Sequence, residues 1–200
     1  MTSIKLQPGQ VKRVNKLLLA VIIVTSIFAS LGLVAQLTQA TDMNPLLSIV
    51  PLALLIINLL ITIVVALILP PDFLRVYVAI AFTTVYAVMN FTSVSGSLYP
   101  YLIPIMIVMV MYLDKKITIS LGIAFIILNI IKAITNFSTL LFPDLAIEIA
   151  MIEIIISILV TVSTIMGSNL LANFMKENIS EIEKAAEERA QTSEHILSVT

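Results

Sequence analysis

The sequence predicts an all-α polytopic membrane protein: six transmembrane helices, the last continuing into a cytoplasmic coiled-coil helix. Three observations carry this expectation. The 200 residues are 60% hydrophobic and only 12% charged, with a mean hydropathy of +1.11, far from the balance of a soluble domain. Apolar stretches recur at about the length a bilayer demands, roughly 20 residues each. The final stretch, EIEKAAEERAQTSEHILSVT (181–200), then reverses the composition, being charged and free of glycine and proline.

The first span is expected over Leu17–Leu37, behind Lys12, Arg13 and Lys16. It is too long for the apolar region of a signal peptide, and no small-x-small cleavage site follows it, so it reads as a retained span. Leu46–Leu69 and Phe73–Phe91 form the second and third, separated by Pro70, Pro71 and Asp72, which stop one helix and open another. Leu98–Leu113 is expected as the fourth, short and interrupted by Pro100 and Pro104, hence kinked or partly unwound near its start. A minimal charged turn, Asp114–Lys116, leads into Ile117–Asn136, and a proline-containing turn (137–144) leads into Leu145–Leu171. The stretches 38–45 and 92–97 supply the other polar connections.

Every Lys and Arg except Lys132 falls on one side of this even-numbered topology. The positive-inside rule then places both termini in the cytoplasm. The organisation expected is a cytoplasmic segment (1–16), a six-helix membrane domain (17–172) and the start of a cytoplasmic coil (173–200). The other-side connections are short, so a stimulus would be read within the membrane, at its outer surface or through the cytoplasmic part.

Composition also excludes. A net charge of −1 offers no bulk attraction for nucleic acid. Without cysteine there is no disulfide, thiolate metal site or thiol redox chemistry, and one histidine leaves a transition metal too few ligands. No phosphate loop, zincin motif or nucleophile with a base is present, so neither enzyme chemistry nor a cofactor is expected.

After Pro143 no proline interrupts the chain, so the sixth helix can run on into water. On a 100° wheel Ile179, Ile182, Ala186, Ala190, Ser193 and Leu197 form one narrow stripe, with Glu177, Glu181 and Glu188 pointing away. A helix so weakly apolar is not stable alone in water, and small seam residues suit close helix approach, so a dimeric coil is expected. A tail lying on the membrane would want lysines and bulky apolar residues in place of its glutamates. The pattern stops without a cap, which leads to the expectation that these residues begin a longer protein.

The stretch ENISEIEKAAEERAQTSEHILSV (177–199), directly behind a multi-span sensor, resembles the membrane end of a methyl-accepting chemotaxis receptor. Alanine and serine in the seam and acidic pairs such as Glu187–Glu188 outside it carry the resemblance. It lacks the proline of a HAMP relay, and Glu187–Glu188 lack the small neighbours of a methylation site. The resemblance implies a homodimer whose complete form engages a histidine kinase and a coupling protein. Two other readings compete: a small six-span substrate-binding subunit of an energy-coupling-factor transporter, and the input domain of a six-span sensor histidine kinase. His195 is followed by Ile196 and Leu197 with no proline, unlike a phospho-accepting helix, and reads as a solvated coil residue.

The charges expected inside the membrane are Lys132 on the fifth span and Glu148 and Glu153 on the sixth, at similar depths, with Asn129 one turn from Lys132. Buried ionisable groups in spans are costly and face partners or function. Two readings stay open for this cluster: an interhelical Lys–Glu pair with snorkelling, or a ligand or ion site. Asn58 and Asn90 are expected as interhelical hydrogen-bonding groups, and Ala79/Thr83/Ala87 and Thr164/Ser168/Ala172 as packing faces. Met106, Met109 and Met111 read as ordinary apolar packing.

Overall fold

The computed structural model describes residues 6–39, 45–92, 100–137 and 143–199. These form α1 (Pro8–Gln39), α2 (Leu46–Ile68), α3 (Pro71–Thr92), the short α4 (Ile103–Met109) with a 3-10 turn at Val110–Tyr112, α5 (Lys115–Phe137) and α6 (Pro143–Val199). Among the described residues five helices are long and apolar enough to cross a membrane, which is compatible with a membrane protein. Most of the three connections expected on one side (38–45, 92–97 and 137–144), the first two residues of the expected fourth span, residues 1–5 and Thr200 lie outside the described residues.

Helix boundaries follow local chemistry. Pro8 opens α1, and the Gln10 side chain accepts a hydrogen bond from the Gln7 N–H at 2.9 Å. Leu69 is extended and ends α2, and Pro71 opens α3 at the position where its missing N–H costs nothing. Before α5, Leu113 takes the left-handed conformation (φ 57°) and turns the chain sharply. Asp114 then caps α5, accepting from the backbone N–H groups of Lys116 (3.2 Å) and Ile117 (3.3 Å).

Packing is inverted relative to a water-soluble bundle. Large apolar side chains such as Phe28, Leu67, Ile80, Ile134, Leu159 and Met166 point outward, while Asn58, Asn90, Asn129, Lys132, Glu153 and several hydroxyls are buried. In water such a surface would aggregate; in hydrocarbon it is the surface required, since a polar group must find its partner inside the protein. The hydroxyls do so by bonding back to their own helices, as Thr62 does to the Asn58 carbonyl (2.6 Å) and Thr83 to that of Ala79 (2.6 Å). Around them packs an apolar core of Leu18, Ile22, Phe82, Tyr86, Leu102 and Phe125.

One end of the bundle is tied by polar contacts. Asn15 donates to the Pro71 carbonyl (2.9 Å) and accepts from the Tyr112 hydroxyl (2.5 Å), while Arg75 pairs with Asp114 (3.5 Å). This gathers the start of α1, the α2–α3 turn and the α4–α5 turn, with Lys12, Arg13, Lys16, Lys115 and Lys116 nearby in the chain. The far part of α6 leaves at the same end, since Gly167 lies opposite Val110 and α6 packs on the 3-10 turn. The clustering of cations expected from sequence is therefore a physical feature of the fold.

The fourth segment is short, as expected. Among the described residues it is helical over Pro100–Tyr112, about 20 Å at 1.5 Å per residue against a hydrocarbon core of about 30 Å. Its start, the Pro100–Leu102 turn, is 3-10 in character, as the prolines led one to expect, but it is also 3-10 at its end. Pro104 sits in the first turn of α4, where it is tolerated. Tyr101 lies beside Phe82 (ring centroids 6.2 Å) and Ser26, well below the Asn90 end of α3. From there α4 descends to the basic end, where Tyr112 meets Asn15.

α5 and α6 approach closely at Gly122. A Cβ there would collide with Thr161 Cγ2, and the Thr161 hydroxyl donates to the Gly122 carbonyl at 3.2 Å. Gly122→Ala should therefore destabilise the bundle by about 1–3 kcal/mol through overpacking. Thr161→Ala removes the obstructing methyl, so the double variant should recover most of the loss. Thermal or SDS unfolding of purified protein measures this, and a full-strength Gly122→Ala single variant would contradict the close approach.

Candidate functional site

The polar cluster lies in the half of the bundle away from the basic end. α5 brings Lys132 to the α6 interface, and its ammonium meets the Glu153 carboxylate at 3.0 Å; only 5% and 4% of the two residues remain accessible. Of the expected pairings, Lys132–Glu153 is the one formed. Glu148 is exposed and takes part in no ion pair among the described residues, because it lies on the opposite face of α6, about 140° from Glu153 at 100° per residue.

Asn129 is fully buried but belongs to a neighbouring contact. Its side-chain oxygen accepts from the Tyr86 hydroxyl (2.8 Å) and its amide donates to the Phe125 carbonyl (2.9 Å). One turn up α3, the Asn90 amide donates to the Leu128 carbonyl at 3.4 Å. α5 is thus bonded on one side to α3 through Asn129 and Leu128, and on the other to α6 through Lys132. Asn58 likewise bridges α2 to α3 by accepting from the Tyr77 hydroxyl at 2.8 Å. Tyr77 and Tyr86 are partners that the sequence reading passed over, since a tyrosine in a span carries no periodic signal of its own.

A second missed feature is the polar stripe of α6. Glu153, Ser157, Thr161, Thr164 and Ser168 are all buried, at intervals of three and four residues. Tracing the Thr164/Ser168 spacing backwards would have found it. Extended forwards, the same arc of about 100° contains Ile179, Ile182, Ala186 and Ala190. Those four, with every described side chain from Lys176 to Thr192, are exposed. Ser193 and Leu197 continue the helix, their side chains lying outside those described. The face that α6 turns to its neighbours within the bundle is therefore the face left uncovered beyond it.

Chemically, the pair fixes height and rotation. A charge pair in so dry a setting is strongly distance-dependent, and losing one partner strands the other charge at a cost of about 3–5 kcal/mol. Among the described residues no three His, Asp or Glu side chains gather as a metal site requires.

Lys132→Met and Glu153→Leu should each destabilise the bundle by about 3–5 kcal/mol, and the double variant should regain most of that loss. Unfolding in detergent or bilayer, read as a double-mutant cycle, gives the coupling; additive losses would show that the two charges do not interact.

Comparison with protein-family models, curated proteins and solved structures finds no match for this chain.

Proposed function

We propose that the protein is a membrane-embedded receptor and signal transducer of the chemotaxis type. Its six crossings, the fourth made by α4, read a stimulus within a bacterial-type inner membrane. α6 then passes the state to a dimeric cytoplasmic coil through which a histidine kinase and a coupling protein are engaged. The protein acts by changing shape and performs no catalysis of its own.

The observation that carries this reading is α6 itself. It is one helix from Pro143 to Val199, about 85 Å at 1.5 Å per residue, with its buried charge near one end and the exposed stripe near the other. A hydrocarbon core takes up only about 30 Å of that length. Because both features share one arc of the helix, a rotation at Glu153 rotates the seam by the same angle. A piston movement translates it equally. Coupling requires only that the stimulus favour one arrangement over the other; a difference of about 1.4 kcal/mol shifts their ratio tenfold.

The absence of cysteine makes single-cysteine tests clean. Cysteines at Asp42, Ser95 and Leu140 should label from outside the cell and those at Asp72, Lys115 and Thr200 from inside. In the tail, Ile182→Cys and Ala186→Cys should cross-link between subunits several-fold faster than Glu181→Cys and Glu188→Cys. Equal rates at all four would remove the dimer seam.

The relay has its own test. Two glycines inserted after Lys176 should uncouple output while leaving the Lys132–Glu153 cycle in the bundle unchanged, because they rotate the seam by about 200° and soften the helix. Preserved signalling by a fusion of this chain to a chemotaxis signalling domain would overturn the rigid relay.

A further inference from the structure

α3 and α5 touch at two levels and stand apart between them. At the upper level the Tyr86 ring packs on Phe125 (centroids 5.4 Å) and its hydroxyl holds Asn129; at the lower level Arg75 pairs with Asp114. Between these levels the facing side chains leave space. Ala79 and Thr83, two residues of the expected packing face, line an open groove of about 430 Å³ with Ile80 on α3 and Ser120 and Ala124 on α5. Its walls are overwhelmingly apolar, and the Thr83 and Thr84 hydroxyls are turned back onto the Ala79 and Ile80 carbonyls.

At the mouth of this groove, on the basic end, stands Lys116. It is exposed and forms no ion pair among the described residues. Its nearest acidic neighbour in sequence, Asp114, has its carboxylate engaged by Arg75 and by the first N–H groups of α5. From Val76 to Thr84 the groove runs about 12 Å along α3, most of the roughly 15 Å that one leaflet of hydrocarbon contributes. The combination is an acyl-length apolar slot with one uncompensated cation at headgroup level.

We propose that this groove is a binding site for an anionic phospholipid of the leaflet at the basic end. One acyl chain fills the space between α3 and α5, and the lipid phosphate rests against the Lys116 ammonium. A zwitterionic lipid carries its own cation beside the phosphate and gains less from Lys116. The bound lipid wedges the lower halves of α3 and α5 at a fixed separation, and α5 is the helix that holds α6 through Lys132. Lipid composition thereby sets the resting position of the pair, independently of any other stimulus.

The sequence has no tryptophan, so one introduced residue reports alone. The full chain carrying Ile80→Trp, a position 65% accessible, is reconstituted in vesicles containing brominated phosphatidylglycerol or brominated phosphatidylcholine at equal mole fraction. Val64→Trp on α2, lipid-facing outside the groove, is the control, and Thr84→Trp replaces Ile80→Trp should that variant fail to insert. The expected result is a preference for phosphatidylglycerol of about fivefold at position 80, the size one lysine near an anionic surface supplies, and none at position 64. Lys116→Gln should abolish that preference and Lys115→Gln should leave it. Equal quenching by both lipids overturns the site. So does a preference that Lys115→Gln weakens as much as Lys116→Gln, which is general surface attraction. Quenching by neither lipid also overturns it, because protein then fills the groove.

Discussion

Hydrocarbon offers no hydrogen bonds, and that constraint organises the whole fold. Every polar group carried into the bundle must find its partner within the protein. Most threonine hydroxyls return to their own helices, as at Thr62 and Thr83, while Thr161 and several asparagines and tyrosines reach across to the next one. The two ions that lie deepest, Lys132 and Glu153, find each other at 3.0 Å. Apolar side chains are released to face outward. The association of helices then rests on a few directed contacts and on close packing of small residues, since apolar burial gives little preference between lipid and protein.

α5 is the hub of these contacts. Its capping residue Asp114 pairs with Arg75 of α3, and along the helix Gly122, Asn129 and Lys132 engage α6, α3 and α6 in turn. α6 is its counterpart, presenting a buried polar stripe from Glu153 to Ser168 to its neighbours. Because α6 alone continues well past the bundle, any displacement between the two helices has a single outlet. The proposed receptor mechanism is a consequence of that asymmetry. The α3–α5 groove gives the other side of α5 a contact with lipid, so that α5 stands between the solvent of the membrane and the outgoing helix.

The bundle has two polar levels with different roles. At the basic end Asn15, Arg75, Tyr112 and Asp114 bind the turns together close to water, where exchange with solvent keeps each contact modest. In the far half, Lys132–Glu153 and Tyr86–Asn129 have no such alternative partner. The first set therefore anchors the fold against the interface, and the second sets helix positions within it.

Much of this was determined by the sequence alone. Length and hydropathy fix helices of membrane-crossing size, since a lipid-exposed backbone has few other options. The prolines at 70, 71 and 104 and the cations mark where helices break and which end they share. The charge pair was legible as a choice between Glu148 and Glu153, because rarity of charge in a span limits the candidates. Tertiary structure decided what one-dimensional patterns leave open. Glu153 is the partner because it shares the inward arc of α6 with Ser157, Thr161 and Thr164, whereas Glu148 falls on the outward face. Asn129 turns to Tyr86 because α3, placed by the bundle, offers a hydroxyl at 2.8 Å. The fourth segment packs through Tyr101 beside Phe82 of α3 and Ser26 of α1, and Ala79 and Thr83 line a groove between the levels joined by Tyr86–Asn129 and Arg75–Asp114. Each outcome depends on the position of a second helix, and no periodicity within one helix encodes where its neighbour lies.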